Sequence, residues 1–246
     1  MAFQTRISFR RTRVLVLSGR GRYEDPWHDM AATSHRVASI LADSMAGCDV
    51  VVRGSFPDAA RDLAEVDLLV VNTASGRRNP SHDGDDATWG GFHEAVRAYA
   101  DAGRPVLALH QAANTFADSR HWERILGGRW IDGTSMHPPI GEAIFEVREI
   151  AGGRGRLHPL TTPLTGVHGD GRVTAFDERY SYLRISEGVQ VLLTQHHDGA
   201  DHPVVWVNGV GGVRVVYDAL GHDTRSYDSP SRRVLLLAEV DWLLGR

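Results

Sequence analysis

Three short runs constrain this chain more than anything else in it. Asp49 to Arg53, Val66 to Asn72 and Val106 to Leu109 are rich in Val and Leu and lack the in-out alternation of a strand with one wet face. Strands that read this way are covered on both faces, as in a parallel sheet flanked by helices. Between the runs the period changes to that of a helix. Val37, Ile40, Leu41 and Met45 share one face of a first helix stopped by Gly47, and Phe92, Val96, Tyr99 and Ala100 share one face of a second, from Trp89 to Ala102, closed by Gly103 and Pro105. With a first strand at Arg13 to Leu17, broken by Gly19 and Gly21, the order is strand, helix, strand, helix, strand. Consecutive right-handed βαβ units follow, hence a doubly wound, mostly parallel sheet between two helical layers.

After Gly127-Gly128 the pattern shifts to short β segments at about 142–150, 172–176, 189–194, 203–207 and 213–217, so the second half is β-rich. Gly209, Gly211 and Gly212 sit between two of these segments and not before a helix. They read as a hairpin turn, and no nucleotide-cofactor fingerprint is present. The chain closes on a helix with Ser229 as N-cap, Pro230 at its first position, and Leu236, Val240, Leu243 and Leu244 as its buried stripe. Residues 1–11 lack periodicity and read as an N-terminal extension; residues 12–246 are expected to form a single domain, since 246 residues lie near the upper end of what one core supports.

Composition removes whole classes of function. All 27 basic residues are Arg, so lysine Schiff-base and phosphate-loop lysine chemistry is excluded. Net charge is −4, and the only dense basic run is Arg6, Arg10, Arg11 and Arg13, which argues against nucleic acid as a partner. No apolar run approaches the roughly 20 residues of a membrane span, nor the apolar stretch of a signal peptide. With Cys48 as the single cysteine, the expectation is a cytoplasmic protein without internal disulfides, and Cys48 itself reads as a small buried hydrophobe. The unusual count is histidine, at 13. Imidazole is the side chain best suited to metal binding and to proton transfer near neutrality.

Ligands of open α/β sheets bind beyond the carboxyl ends of the strands. His110 stands there. Leu107 to Phe116 is a strand that turns abruptly through His110 and Gln111 into small residues, the pattern of a nucleophile elbow with its nucleophile replaced. The competing reading is a histidine that merely packs at a strand end.

This strand and His110 are followed by the run His121 to Trp130, His137-Pro138, His158-Pro159, Asp177-Glu178-x-Tyr180, Pro203-Val204-x-Trp206, Val213-x-Val215-x-Tyr217 and Leu220-Gly221-His222. In order and spacing the chain resembles the ThuA-like (trehalose utilisation) family over about residues 13–244, and His28 matches a position where that family often has histidine. The resemblance implies a flavodoxin-like, class I glutamine amidotransferase-like three-layer sandwich. It also implies that the elbow once held a cysteine. Here it holds His110, and Cys48 precedes the second strand at its amino end, so a glutaminase is not expected. The family name implies carbohydrate metabolism, with a small-molecule sugar as substrate.

His28, His110, Glu178 and His222 come from separate loops, and imidazoles converging with a carboxylate make a site for a divalent metal, zinc first. The same residues, with His110 and Glu178 at the reacting centre and Gln111 and Tyr180 beside them, could instead perform metal-free acid/base catalysis. A non-catalytic sugar-binding or regulatory protein is the remaining reading. In an extended segment Asp177 and Glu178 point to opposite faces; the resemblance favours Glu178 as the inward one, leaving Asp177 to bond backbone amides. Tyr180 shares the face of Glu178 and offers a sugar both a ring and a hydroxyl, although a core tyrosine reads the same way. Asp223 could orient His222 as its neighbour in sequence, though adjacent residues seldom pair so. Trp122 reads as a core anchor and His196-His197-Asp198 as a polar loop tip. His137 stands at a Pro-rich turn and is not counted among the site residues. His35, His82, His93, His168 and His202 are given surface or cap roles. Edge strands could support a homo-oligomer, but no letters specify one.

Overall fold

In the computed structural model, which describes residues 10–150, 155–166 and 169–246, the apolar runs become sheet neighbours. β1 (Thr12–Ser18) lies between β2 (Cys48–Gly54) and β3 (Leu68–Asn72), and β3 pairs with β4 (Pro105–Leu109), all parallel. Every residue of β3 is buried, which is why its sequence does not alternate. Its Leu68, Leu69, Val70 and Val71 are shut off from solvent, each removal from water stabilising the fold by about 1.5–3 kcal/mol.

The helices between them are α1 (Met30–Ser44), the short α2 (Pro80–Asp83) and α3 (Asp86–Asp101). The last begins three residues before the expected Trp89, because the Asp85 carboxylate accepts from the Thr88 amide and caps the first turn. The Trp122 to Leu126 stretch forms α4, with Trp122 buried as expected and its indole donating to the Ala112 carbonyl at 2.8 Å.

The second half supplies β6 (Gly141–Val147), β7 (Arg172–Asp177), β9 (Gln190–His197), β10 (Ala200–Asn208) and β11 (Arg214–Asp218). β5 (Gly128–Arg129) and β8 (Arg184–Ile185) pair apart from them. The nine-stranded sheet has the order β2-β1-β3-β4-β11-β10-β9-β6-β7. β11 is parallel to β4, and each later pairing is antiparallel. Four antiparallel steps restore the original direction, so the carboxyl end of β7 faces the same rim of the sheet as that of β11. This places Glu178 on the correct side.

β9 and β10 join through Asp198 and Gly199, both at positive φ, the two-residue hairpin turn that an Asp-Gly pair favours; β9 therefore runs to His197. Gly209 to Val213 link β10 to antiparallel β11, as a hairpin connection should. The final helix, α5 (Pro230–Leu244), starts as the sequence indicated, with the Ser229 hydroxyl accepting from the Arg232 amide.

Several readings need correction. Arg232 and Glu239 are fully buried within the stripe of α5, facing Asp218 at the end of β11, with Arg232 Nη2 2.8 Å from Asp218 Oδ2. Burial raises Glu239 well above the usual carboxylic range and raises Asp218 too, where the Arg232 guanidinium of this triad opposes it. Cys48 is half-buried rather than enclosed. His93 and His202 are buried, not on the surface. Of the proposed N-terminal extension, residues 1–9 lie outside the described residues, as does His168; Arg10 binds the Asp67 carboxylate at 2.8 Å.

Candidate functional site

His110 follows β4 immediately and has φ of 44°, a left-handed conformation that a residue with a side chain adopts only where the surroundings enforce it. The Tyr217 hydroxyl donates to its backbone carbonyl at 2.9 Å. The side chain, 2% exposed, donates from Nδ1 to the Ala219 carbonyl at 2.6 Å. A carbonyl can only accept, so Nδ1 carries the proton and Nε2 faces the cleft with its lone pair. Burial pushes this imidazole down, towards the neutral form.

Glu178 follows β7 and is 6% exposed. Its partner in sequence, Asp177, accepts from the amides of Gly221 and His222 at 2.8 and 3.1 Å and from the Ser226 hydroxyl at 2.5 Å. These bonds tie the end of β7 to the loop after β11. In that loop Gly221 has φ of 117°, and a Cβ there would lie 2.5 Å from the Tyr227 hydroxyl, so no larger residue fits. The Asp218 carboxylate accepts from Leu220 N at 2.9 Å and Arg232 donates to Leu220 O at 3.4 Å. The buried triad thereby shapes the loop that presents both the Ala219 carbonyl and His222.

Four side chains converge. His110 Nε2 is 3.4 Å and His28 Nε2 3.9 Å from Glu178 Oε2, while His222 Nδ1 is 3.2 Å from Oε1. All four donor atoms lie within 4.8 Å of one another. The imidazole rings of His28, His110 and His222 are 4.6 to 5.6 Å apart, centre to centre. Burial alone would raise the Glu178 carboxyl, but the imidazoles of His110, His222 and His28 around it outweigh this and hold the group far below the usual carboxylate range. Two buried atoms, Glu178 Oε2 and His222 Nδ1, have no hydrogen-bond partner.

Gln111 and Tyr180 close the back of the cluster. The Gln111 amide donates to the Tyr180 hydroxyl at 2.8 Å, and that hydroxyl is 3.1 Å from His110 Nε2. Gln111 Nε2 also lies 3.3 Å from His28 Nε2. Tyr180 is buried, its ring packed on His110 and Trp130, so it offers a hydroxyl and no open stacking face. Asp223 pairs with Arg225 and leaves His222 to Glu178. The His196-His197-Asp198 tip stays remote, with His196 on Asp201.

Three residues escaped the sequence reading. Asp25 accepts from His28 Nδ1 at 2.8 Å, orienting Nε2 towards Glu178, and its place three residues before a loop histidine was the available signal. Burial lowers the His28 pKa, but the Asp25 and Glu178 carboxylates raise it to about 9. His137, which stands at a Pro-rich turn and is not among the site residues expected from sequence, brings Nε2 to 3.4 Å from Glu178 Oε1. Trp27, 76% exposed, has its amide held at 2.9 Å by the same Asp25 carboxylate. Asp25 also lines a cavity of about 930 Å³, together with Arg20, Glu24, Phe56 and Asn79 among others; the four clustered side chains are not part of its lining.

The family model described as "ThuA: Trehalose utilisation" matches residues 13–243. No curated protein matches. Among solved structures, a protein of Parabacteroides merdae described as ThuA-like superposes with a TM-score of 0.74 at 19% identity, covering 95% of this chain and 90% of that one. A cytoplasmic protein of Salmonella typhimurium superposes with 0.58 at 14% identity, covering 95% and 98%. A glutamine amidotransferase of Thermotoga maritima superposes with 0.56 at 10% identity, covering 96% and 99%. The last shares the fold; in this chain His110 follows the carboxyl end of β4, while Cys48 lies at the opposite, amino end of β2. The sheet, the histidine elbow and a family match over residues 13–243 lead to one conclusion: this chain belongs to the ThuA family.

Proposed function

We propose that this protein is a cytoplasmic enzyme of carbohydrate utilisation whose reacting centre is His28, His110, Glu178 and His222 holding a divalent cation. The observation that carries the metal is the pair of orphaned buried atoms, Glu178 Oε2 and His222 Nδ1, inside a set of four donors. Bonds of about 2.1 Å to a tetrahedral ion imply donor separations of roughly 3.4 Å. The distances to Glu178, 3.2 to 3.9 Å, are close to that value. Three imidazoles with a carboxylate suit zinc before a harder ion. Such an ion polarises a sugar carbonyl or lowers the pKa of a bound water towards neutrality.

The chain's own residues supply the rest. Asp25 and the Ala219 carbonyl each bond an Nδ1, so that Nε2 is the nitrogen that His28 and His110 both turn to the centre. Trp27, the residue before His28 in sequence, offers an exposed aromatic face for the apolar face of a pyranose, and the cavity that Asp25 lines has room for a disaccharide. The family's description supports a sugar as substrate, and the Salmonella neighbour's description supports the compartment.

One observation favours a metal-free version of the same site. The Tyr180 hydroxyl lies 3.1 Å from His110 Nε2, whose lone pair can take a proton as general base, with the Glu178 carboxylate 3.4 Å away to stabilise the imidazolium that results. Elemental analysis of the purified protein, with His110→Ala alongside, separates the two. Near-stoichiometric zinc or another divalent ion, lost in the variant, is expected. No metal after incubation with divalent ions, together with sugar turnover that His110→Ala abolishes, selects acid/base catalysis. Sugar binding without turnover in wild type would sink both and leave a binding protein.

A further inference from the structure

The two edges of the nine-stranded sheet are treated differently. At one edge, β7 is closed: the Thr174 amide donates to Ser231 Oγ at 3.0 Å, and the hydroxyls of Ser229 and Ser231 donate to the Thr174 carbonyl. At the other, β2 is open. Thr12 N donates to Gly47 O and Ser55 N donates to Ser18 O, so the odd-numbered residues of this segment turn their backbone groups towards β1. The even-numbered ones turn theirs outwards. Cys48 N is taken by Met45 O and Gly54 O by Phe56 N, so that, among the described residues, the outward amides and carbonyls of Val50 and Val52 have no partner. Val51 and Val52 are 37% and 40% exposed. A seven-residue edge with exposed valines and free backbone groups is a template for another strand.

We propose that this edge pairs with the same strand of a second copy, antiparallel about a two-fold axis at Val51. The register follows from two requirements. Outward-facing residues must oppose one another, which sets Val50 opposite Val52 of the partner subunit and forms four backbone hydrogen bonds about the axis. Charges must also match. Asp49 and Arg53 flank the valines on one face, and only the register centred on Val51 sets Asp49 against Arg53 of the partner subunit, twice by symmetry. Centring on Val50 or Val52 sets these charges against neutral residues. A strand with one acid and one base equidistant from its midpoint is self-complementary in the antiparallel sense, which is the requirement of an isologous interface.

Sedimentation equilibrium of the full chain at micromolar concentrations, with charge-reversal variants at exposed positions, tests this. Wild type should associate as a two-chain species. Asp49→Arg alone and Arg53→Asp alone each set two like-charged pairs across the axis and should weaken association about tenfold. The double variant Asp49→Arg/Arg53→Asp should restore it. Val52→Pro, which removes an outward amide without touching the β1 ladder, should abolish it; circular dichroism verifies that each variant is folded. A wild type that stays monomeric to about 100 µM overturns the proposal. So does a dimer indifferent to both single reversals, or one that the double variant fails to recover.

Discussion

At the scale of single residues, the cluster depends on which nitrogen of each histidine is protonated, and the partner of the other nitrogen settles that. For His110 the partner is a backbone carbonyl, which a side-chain substitution cannot remove; for His28 it is the Asp25 carboxylate. Asp25→Asn keeps the shape and loses the charge that orients and strengthens His28 as a ligand. The expected outcome is a 10- to 100-fold fall in zinc affinity by titration calorimetry, with little change in fold. Unchanged affinity would remove Asp25 from the site. Gln111, Glu178, Tyr180, His110, His222 and His28 were all legible in the sequence as candidates, because each follows a strand or lies in a strand-to-helix loop. Asp25 and His137 were not, since an acid in a polar loop and a histidine in a proline turn carry no periodic signal.

At the scale of elements, β-branched runs and helical stripes could be read directly, because a strand or helix repeats its environment every two or 3.6 residues. Arg232 and Glu239 broke that reading for α5. They occupy its buried stripe because Asp218, at the end of β11, faces them. Ser229 shows how one residue can serve two elements, capping α5 through the Arg232 amide and donating to the free carbonyl of Thr174 on β7. Ser229→Ala removes both contacts and is expected to lower stability by about 1–2 kcal/mol in chemical denaturation. A loss no greater than that of an exposed Ser→Ala elsewhere would show the cap to be idle.

At the scale of the whole molecule, the loop that carries His28 is tied to the body by a buried ionic network. Arg22 donates to Asp118, Asp86 and Asp83 at 2.9 to 3.2 Å, and the Tyr23 hydroxyl donates to Asp118 beside His93. Burial alone would raise the Asp118 carboxyl, but His93, Tyr23 and Arg22 outweigh it and hold it well below the usual range. A carboxyl whose folded pKa is depressed contributes stability that is present above its unfolded value near 4, and that is lost as pH falls through the folded value. Asp118→Asn should therefore cost about 2–4 kcal/mol at pH 7 and flatten the decline of stability below about pH 4. Parallel acid profiles for variant and wild type would show that the network is not linked to protonation.

Local sequence settled the class of sheet, the order of its elements, the start of α5 and the family, since all of these rest on periodicity, turn chemistry or the order of motifs along the chain. It also placed the cluster residues at strand ends, though nothing local said that they meet. That was decided by tertiary structure. Four antiparallel steps turn β7 back to the rim that β4 and β11 share, and Asp177 bonds it to the Gly221 loop. Contacts between residues as far apart as His28 and Glu178 depend on how many strands intervene and in which direction each runs, and no window of sequence contains that number.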